Sequence, residues 1–558
     1  MPPFPTPRRL ALALALAIAA TGFAATAQDN VRLPDLGSSA NALVSNQEML
    51  DAGQAMVHQM RALGMVLDDP LVDQYINDLG LRLAAASAQP KDHFAFLVAR
   101  DPVINAFAMP GGYIAVNSGL VLITRNEGEL ASVLAHEIGH ITQNHLRRSF
   151  EDARKNGPLL ALVMLGAIAA GAGGGLGAGD AAGAILAGGE GALAQKEINF
   201  TRKDEIEADR AGIQTLANAG FDPNDMAEFF QRMQDTLRVD AGDMHGVPSL
   251  LLDHPVTLDR ISDAKERAGM LIAQQKQRFT ANAQERSQWA RLAAPIPFVR
   301  NPGALLGGSR ADDGMLPRYA LMRERIRVLT GDPVQLCGYY AGNLAQHPDF
   351  DTPANHYGYA LALIHSDHGD AAARQLQPLL ARWSADPVLR LALADARLQG
   401  GHRAEALAIY AALAAESPNN RAIALAYAKA LTDGGSKAQA AQAADLLRPL
   451  LDQEDEPDIY TSYARASEKA GDSVRAGEAF ADAAYLSGRP FDAMDQLQRL
   501  LKRNDLDYYA RARIQARIAQ LTPLVLELRK RRIATPDNPA TPDASQPLLD
   551  TRRAGPPG

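Results

Sequence analysis

Cysteine is almost missing from this sequence: Cys337 is the single thiol in 558 residues. A disulfide within the chain is therefore excluded. Set among Val334, Leu336 and Tyr339, that thiol reads as a packing residue rather than a nucleophile. An excess of basic charge is missing too. Lys and Arg number 56 against 64 Asp and Glu, a formal charge of −8, and no Lys/Arg run forms a stripe. That balance argues against a nucleic-acid partner. Long apolar runs are also absent. Residues 10–20 and 158–172 are the candidates, and both fall short of the about 20 residues that a membrane-spanning helix needs.

The first of these runs has the make-up of a processing signal. Arg8 and Arg9 precede it, and Ala25-Thr26-Ala27 supplies a small-x-small cleavage pattern, so residues 1–27 are expected to be a signal peptide for export. The mature chain would begin near Gln28, with its charge shifted from −8 to −10 by loss of the two arginines. The arginine pair lacks the rest of a twin-arginine pattern, which favours the general secretory route. No cysteine follows the cleavage site, so anchoring through an N-terminal lipidated cysteine is excluded.

What remains is too long for one core, and two or three domains are expected. Apolar spacing of three and four residues predicts helix over 46–87. Residues 93–98, 104–108 and 113–116 read as short strands, with a turn at Pro110-Gly111-Gly112. A long helix is predicted over 127–150, and helical patterning returns through Glu205 to about Leu216. Between them, 158–194 is rich in Gly and Ala, with Asp180 and Glu190 as its charges. Two readings of it stay open: a hairpin making peripheral contact with a membrane, and a small-residue segment packed near the active site. Residues 296–316, rich in Pro and Gly, read as a linker. Over 317–533 a repeat appears: Gly369, Gly401, Gly435 and Gly471 each precede alanines and stand 32, 34 and 36 residues apart. A period near 34 points to tetratricopeptide-like helix–turn–helix units, with another antiparallel helical array as the alternative. The tail, 534–558, is Pro- and Asp-rich and is expected to be disordered.

The chemistry is concentrated in His136-Glu137-Ile138-Gly139-His140. Two imidazoles at i and i+4 share a helix face and can bind one ion, and Glu137 beside them can act as base. Zinc suits neutral imidazoles and an open position for water; it acidifies that water and polarises a peptide carbonyl while Glu137 takes the proton. A third ligand is needed. No histidine follows at the metzincin spacing, and on a continuous helix His145 faces another direction. Glu205 and Asp209, one turn apart, fit better: Glu205 on the metal, Asp209 behind a ligating histidine, fixing its tautomer. Glu207, about 200° around the helix from Glu205, is the competing ligand. An acidic, solvated helix face is the bland reading of the same residues. A structural zinc site is disfavoured because cysteine is absent from the region.

These motifs, with PGGYIAVNSGL before them and DHPVTLDRI after, resemble the HtpX-like zinc metallopeptidases. The signal peptide and the repeats make the chain most similar to periplasmic members of that kind. The resemblance implies a mainly α fold: a zincin-like metallopeptidase domain with a small β-sheet over 28–295, then an all-α tetratricopeptide-like superhelical repeat domain. It implies one zinc ion on His136, His140 and Glu205, Glu137 as the catalytic base, and Asp209 as a supporting residue or proton donor. It also implies action on unfolded or misassembled outer-membrane proteins, a chaperone-like role, and contact with the β-barrel assembly machinery through the repeats. The competing function is a repeat-based periplasmic chaperone or scaffold whose metal site is latent or silent.

Two further expectations concern substrate and regulation. Asn105, Ala106 and Phe107, with Gly111, Gly112 and the strand 113–116, are expected to form a sheet edge beside the metal helix, to which an extended peptide can add as a strand. His254, held by Pro255 in a loop between helices, is read first as a latch that fills the open metal position. It could instead donate to the oxyanion, or cap the helix beginning near Thr257. The resemblance supports the latch.

Overall fold

The computed structural model describes residues 45–149 (except 91), 202–239, 250, 254–292, 315–530 (except 419 and 452–455) and 537. The expected signal peptide, the segment 158–194, nearly all of the linker 296–316 and nearly all of the tail 534–558 lie outside the described residues.

The chain is mainly helical with one small sheet. Helix α1 (Asn46–Ala62) opens with a capping box, Ser45 and Glu48 each bonding the other's backbone amide. Helix α2 (Pro70–Ala86) begins on the N-cap Asp69 with Pro70 at its first position. The helical pattern of 46–87 is thus broken in two. The break, near Gly64 with its positive φ, lets Val66 bridge Ala99 beside the sheet.

Strands β1 (Ala95–Ala99), β2 (Ala106–Ala108) and β3 (Tyr113–Asn117) form the sheet in the order β1-β3-β2. β3 pairs parallel with β1 and antiparallel with β2. The expected edge at 113–116 is therefore corrected: β3 is the central strand, its backbone groups taken up on both sides. The two true edges differ. β1 is covered, because the Asn77 amide donates to Phe96 O and accepts from Phe96 N (2.9 and 3.0 Å) and Leu67 N donates to Val98 O. β2 has no further strand beside it among the described residues. Gly111 and Gly112, expected at the substrate surface, turn the chain with φ of +73° and +86°. A Cβ on Gly111 would lie 2.7 Å from Leu50 Cα, and one on Gly112 1.7 Å from His93 O, so both positions serve close packing.

Short helix α3 (Ser118–Ile123) leads to α4 (Glu127–Thr142), the helix of HEIGH, capped by Asn126. α4 ends eight residues before the expected 150. Asn144 takes a left-handed φ of 56°, a conformation Asn tolerates, and a separate helical turn covers 145–149. Helices α5 (Arg202–Asn218), α6 (Asn224–Val239) and α7 (Leu258–Leu292) complete this half, α5 lying closely along α4.

From α8 (Arg318–Thr330) and α9 (Pro333–Gln346) onward the fold is a helical array. Five helix pairs run from α10 (Pro353–His365) to α19 (Tyr508–Lys530). Their first helices begin at Pro353, Pro387, Arg421, Pro457 and Pro490, 33 to 36 residues apart, and four of the five carry proline where helix starts tolerate it. The glycine period reflects the turns within pairs, with Gly401 and Gly471 at positive φ. Cys337, on α9, is half-buried against the core. The array is fastened to the sheet half: Arg325 forks onto Asp69 at 2.6 and 2.7 Å, and the Tyr319 hydroxyl donates to Thr124 O.

Candidate active site

Helices α4 and α5 touch through small residues. A Cβ on Gly139 would stand 2.7 Å from Ala208 O, and one on Gly212 3.1 Å from Ala135 O. That proximity brings the side chains of HEIGH and EIEAD into one buried space. His136 Nε2 and His140 Nε2 are 3.0 Å apart. Glu205 lies 3.6 Å from the first and 3.5 Å from the second. His254 Nδ1 joins them, 2.9 Å from Glu205 Oε1 and 3.4 Å from His136 Nε2. These four residues are buried, and each offers a ligand atom within 4.8 Å of the others. Glu137 is fully buried beside them, its carboxylate facing His254 Nε2 at 3.8 Å.

Behind this cluster, His136 Nδ1 lies 2.9 Å from Asp209 Oδ1. His140 Nδ1 meets His145 Nδ1, also at 2.9 Å. Glu207, the competing third ligand, points away from the cluster and sits 3.3 Å from His145 Nε2. Arg260 is the residue that sequence reasoning passed over. Its guanidinium forks onto Asp209 at 2.7 and 2.8 Å, reaches Glu205 Oε2 at 2.9 Å, and donates to Pro255 O. The available signal was its place one helical turn after Asp253-His254-Pro255. Thr257 Oγ1 accepts from Arg260 N, so Thr257 caps α7 rather than His254.

Burial pushes the Glu137 carboxyl up, against the pull of His254 and His136. Burial also holds His140 well below the ordinary histidine range, and His136 and His254 add to the effect. For Asp209, burial would raise the carboxyl, but Arg260 and His136 outweigh it and hold it down. For His254, burial works toward the neutral ring, but Glu205 and Glu137 bring it up to about 9.

The donor set fits a dication. With His136 Nδ1 turned to Asp209 and His140 Nδ1 to His145, both Nε2 atoms face each other and the Glu205 carboxylate. Ligand atoms 2.9–3.6 Å apart have the separations of donors about 2 Å from a common ion. Three buried carboxylates, Glu137, Glu205 and Asp209, stand against one guanidinium and the His254 imidazole, an imbalance that a bound cation offsets.

The family model for peptidase family M48 matches residues 70–268, from α2 into α7. The β-barrel assembly-enhancing protease of Yersinia pestis is 36% identical over 392 residues, which cover 67% of this chain and 75% of the relative. The chain belongs to peptidase family M48. It is a metallopeptidase, and the cluster of His136, His140, Glu205 and His254 that could hold a metal lies inside the matched span. The similarity also runs into the helical array: the β-barrel assembly-enhancing protease of Escherichia coli (strain K12) is 31% identical over 494 residues, 88% of this chain and 91% of the relative. The mitochondrial metalloendopeptidase OMA1 of Arabidopsis thaliana is 28% identical over 202 residues, 36% of this chain and 38% of the relative. No helix of the described residues is long and apolar enough to cross a membrane.

Proposed function

We propose that the chain is an exported, zinc-dependent endopeptidase of the bacterial periplasm that degrades misassembled outer-membrane β-barrel proteins and assists their assembly. The carrying observation is the convergence of His136, His140 and Glu205 beside a buried Glu137 and next to β2, an edge strand among the described residues. The three would hold one zinc ion per chain, which supplies a Lewis acid for the scissile carbonyl and acidifies water. Glu137 takes the proton at its carboxylate; burial, by favouring its protonated form, makes it a stronger base than an exposed glutamate. Asp209 orients His136 and is itself fixed by Arg260.

An extended substrate would add to β2, at Asn105, Ala106 and Phe107. The backbone amide of Ala108 faces Glu137, and β2 packs on α4, so a strand laid there passes the base. Such recognition asks little of sequence and suits unfolded barrel segments. Export through the signal peptide 1–27 and docking of the assembly machinery on a tetratricopeptide-like array, 317–533, complete the reading. The names of the bacterial relatives support it. Residues 158–194 are the candidate for peripheral membrane contact.

His254 lies among the ligand atoms, which favours the latch over a helix-capping role. Leu250 N donates to Ile104 O and Leu250 O accepts from His254 N, so the backbone that holds His254 also touches the approach to β2. In the resting enzyme His254, against Glu205 and His136, would occupy the place that water needs, and cleavage would require it to leave. The test is cleavage of an unfolded barrel protein by wild type, Glu137→Gln and His254→Ala, each assayed for zinc. Glu137→Gln should keep one zinc and lose cleavage while trapping periplasmic substrates; His254→Ala should cut faster. Cleavage by zinc-loaded Glu137→Gln would refute the mechanism. A His254→Ala rate about a hundredfold lower would make His254 an oxyanion donor.

A further inference from the structure

The two histidines of α4 are held from behind by different partners. His136 faces a carboxylate, Asp209, whereas His140 faces a second imidazole. That imidazole, His145, is 1% exposed, and its far nitrogen lies 3.3 Å from Glu207 Oε2 and 3.6 Å from Asp204 Oδ1. It reaches this position because α4 stops at Thr142 and the left-handed Asn144 folds the chain back beneath His140.

Counting protons fixes the direction of the chain of bonds. An Nδ1-to-Nδ1 contact of 2.9 Å holds one proton. His140 needs its lone pair at Nε2, which faces His136 and Glu205, so its neutral ring carries the proton on Nδ1 and donates it. His145 then accepts at Nδ1 and bears its own proton on Nε2, aimed at the Glu207 carboxylate. A cation bound by His145, Asp204 and Glu207 is the rival reading of this cluster. Two cations of the chain already meet its carboxylates, Arg148 at 2.9 Å from Asp204 and Lys203 at 3.6 Å from Glu207.

We propose that His145 and Glu207 form a positioning relay that fixes the tautomer and orientation of His140 for metal binding, as Asp209 does for His136. The relay rests on the metal reading above, with His140 Nε2 as a ligand atom. It assigns Glu207 a place that neither ligand nor solvated face describes. Partners of this kind raise the basicity of a ligating imidazole, and their loss costs about 10- to 100-fold in metal affinity.

The experiment measures zinc affinity of the full chain at fixed pH by competition with a chromophoric chelator, beside thermal melting of the metal-free proteins. His145→Leu keeps much of the side-chain volume and removes the acceptor; its zinc affinity should fall about 10- to 100-fold with metal-free melting near wild type. His145→Asn places an amide oxygen where Nδ1 stood and should recover affinity to within a few-fold. Equal affinity of wild type and His145→Leu overturns the relay, as does an equal loss in the Leu and Asn variants, which would mark a packing role. If His145→Leu does not fold, Glu207→Ala, at a half-buried position, carries the test, and unchanged affinity there overturns the relay. Failure of wild type to bind zinc would overturn the metal reading itself, and the relay with it.

Discussion

Gly139→Ala is a sharp test of how the site is built, because two effects oppose each other there. In the interior of α4, alanine is favoured over glycine by about 0.8–1.0 kcal/mol. Against this, the new methyl would meet Ala208 O at 2.7 Å and Ala208 Cα at 3.0 Å. Both are backbone atoms of a packed helix and cannot swing aside like a side-chain tip. Overpacking of this kind costs about 1–3 kcal/mol, so the net effect is a loss of up to about 2 kcal/mol. Function should suffer more than stability. Ala208 lies between Glu205 and Asp209 on α5, so a shift of a few tenths of an ångström there moves both carboxylates, the one facing the histidine Nε2 atoms and the one behind His136, together. Zinc affinity should drop by tenfold or more, read by chelator competition, with a parallel loss of cleavage of an unfolded substrate. Gly338→Ala, at a helical position with nothing within 4 Å, is the control and should raise the melting temperature slightly. A Gly139→Ala protein that melts higher than wild type and keeps its zinc affinity would refute the account of α4–α5 contact.

Arg260→Met should destabilise the fold by about 3–5 kcal/mol, because it strands Asp209 and Glu205 as buried carboxylates without their guanidinium; chemical denaturation reads this, and Arg260→Lys should rescue little, since an ammonium cannot fork onto Asp209. Burial pushes Asp225, beside the N-cap Asn126 of α4, up to about 6. Its folded value is raised, so the stability it contributes is present below pH about 4 and lost as pH rises through about 6. After discounting for partial exposure the loss is about 1 kcal/mol; Asp225→Asn should therefore melt higher than wild type at pH 7.5, and a gap that does not narrow on acidification to pH 4 refutes the assignment.

The parts of the site that were legible in sequence are those within one helical turn. His136 and His140 share a face of α4, as Glu205 and Asp209 share one of α5, because i and i+4 coincide on any α-helix. The repeat period was legible for the same reason, each turn marked by its own glycine. What was hidden depends on where elements stop and cross. The direction of His145 was extrapolated along a helix to 150, but the helix ends at Thr142. Residues 105–107 and the strand 113–116 are together expected at a sheet edge, yet the chain runs from β1 to β2 on the far side of the sheet and β3 returns between them. Local alternation of apolar residues carries no information on that order. Arg260 was hidden because its partners lie 51 and 55 residues away in sequence, and an arginine at a helix start reads as solvated until burial is known.

The spacing of EIEAD has a physical reason in this arrangement. Glu205 and Asp209 lie on the face of α5 toward α4, one among the ligand atoms and one behind His136. Glu207, on the other side of the helix, would be idle if α4 continued straight. The chain reversal at Asn144 brings His145 to it, so the same helix also supports His140. One helix thus places Glu205 among the candidate ligand atoms, Asp209 against His136, and Glu207 against the His145 that backs His140. Any change that slides α5 along α4 alters all three contacts together, and substitutions at Glu205, Glu207 and Asp209 should then combine non-additively, unlike substitutions at distant, independent sites. The glycines at the α4–α5 contact, Gly139 and Gly212, hold that register. They shape the candidate site as much as the histidines do, although neither offers a ligand atom.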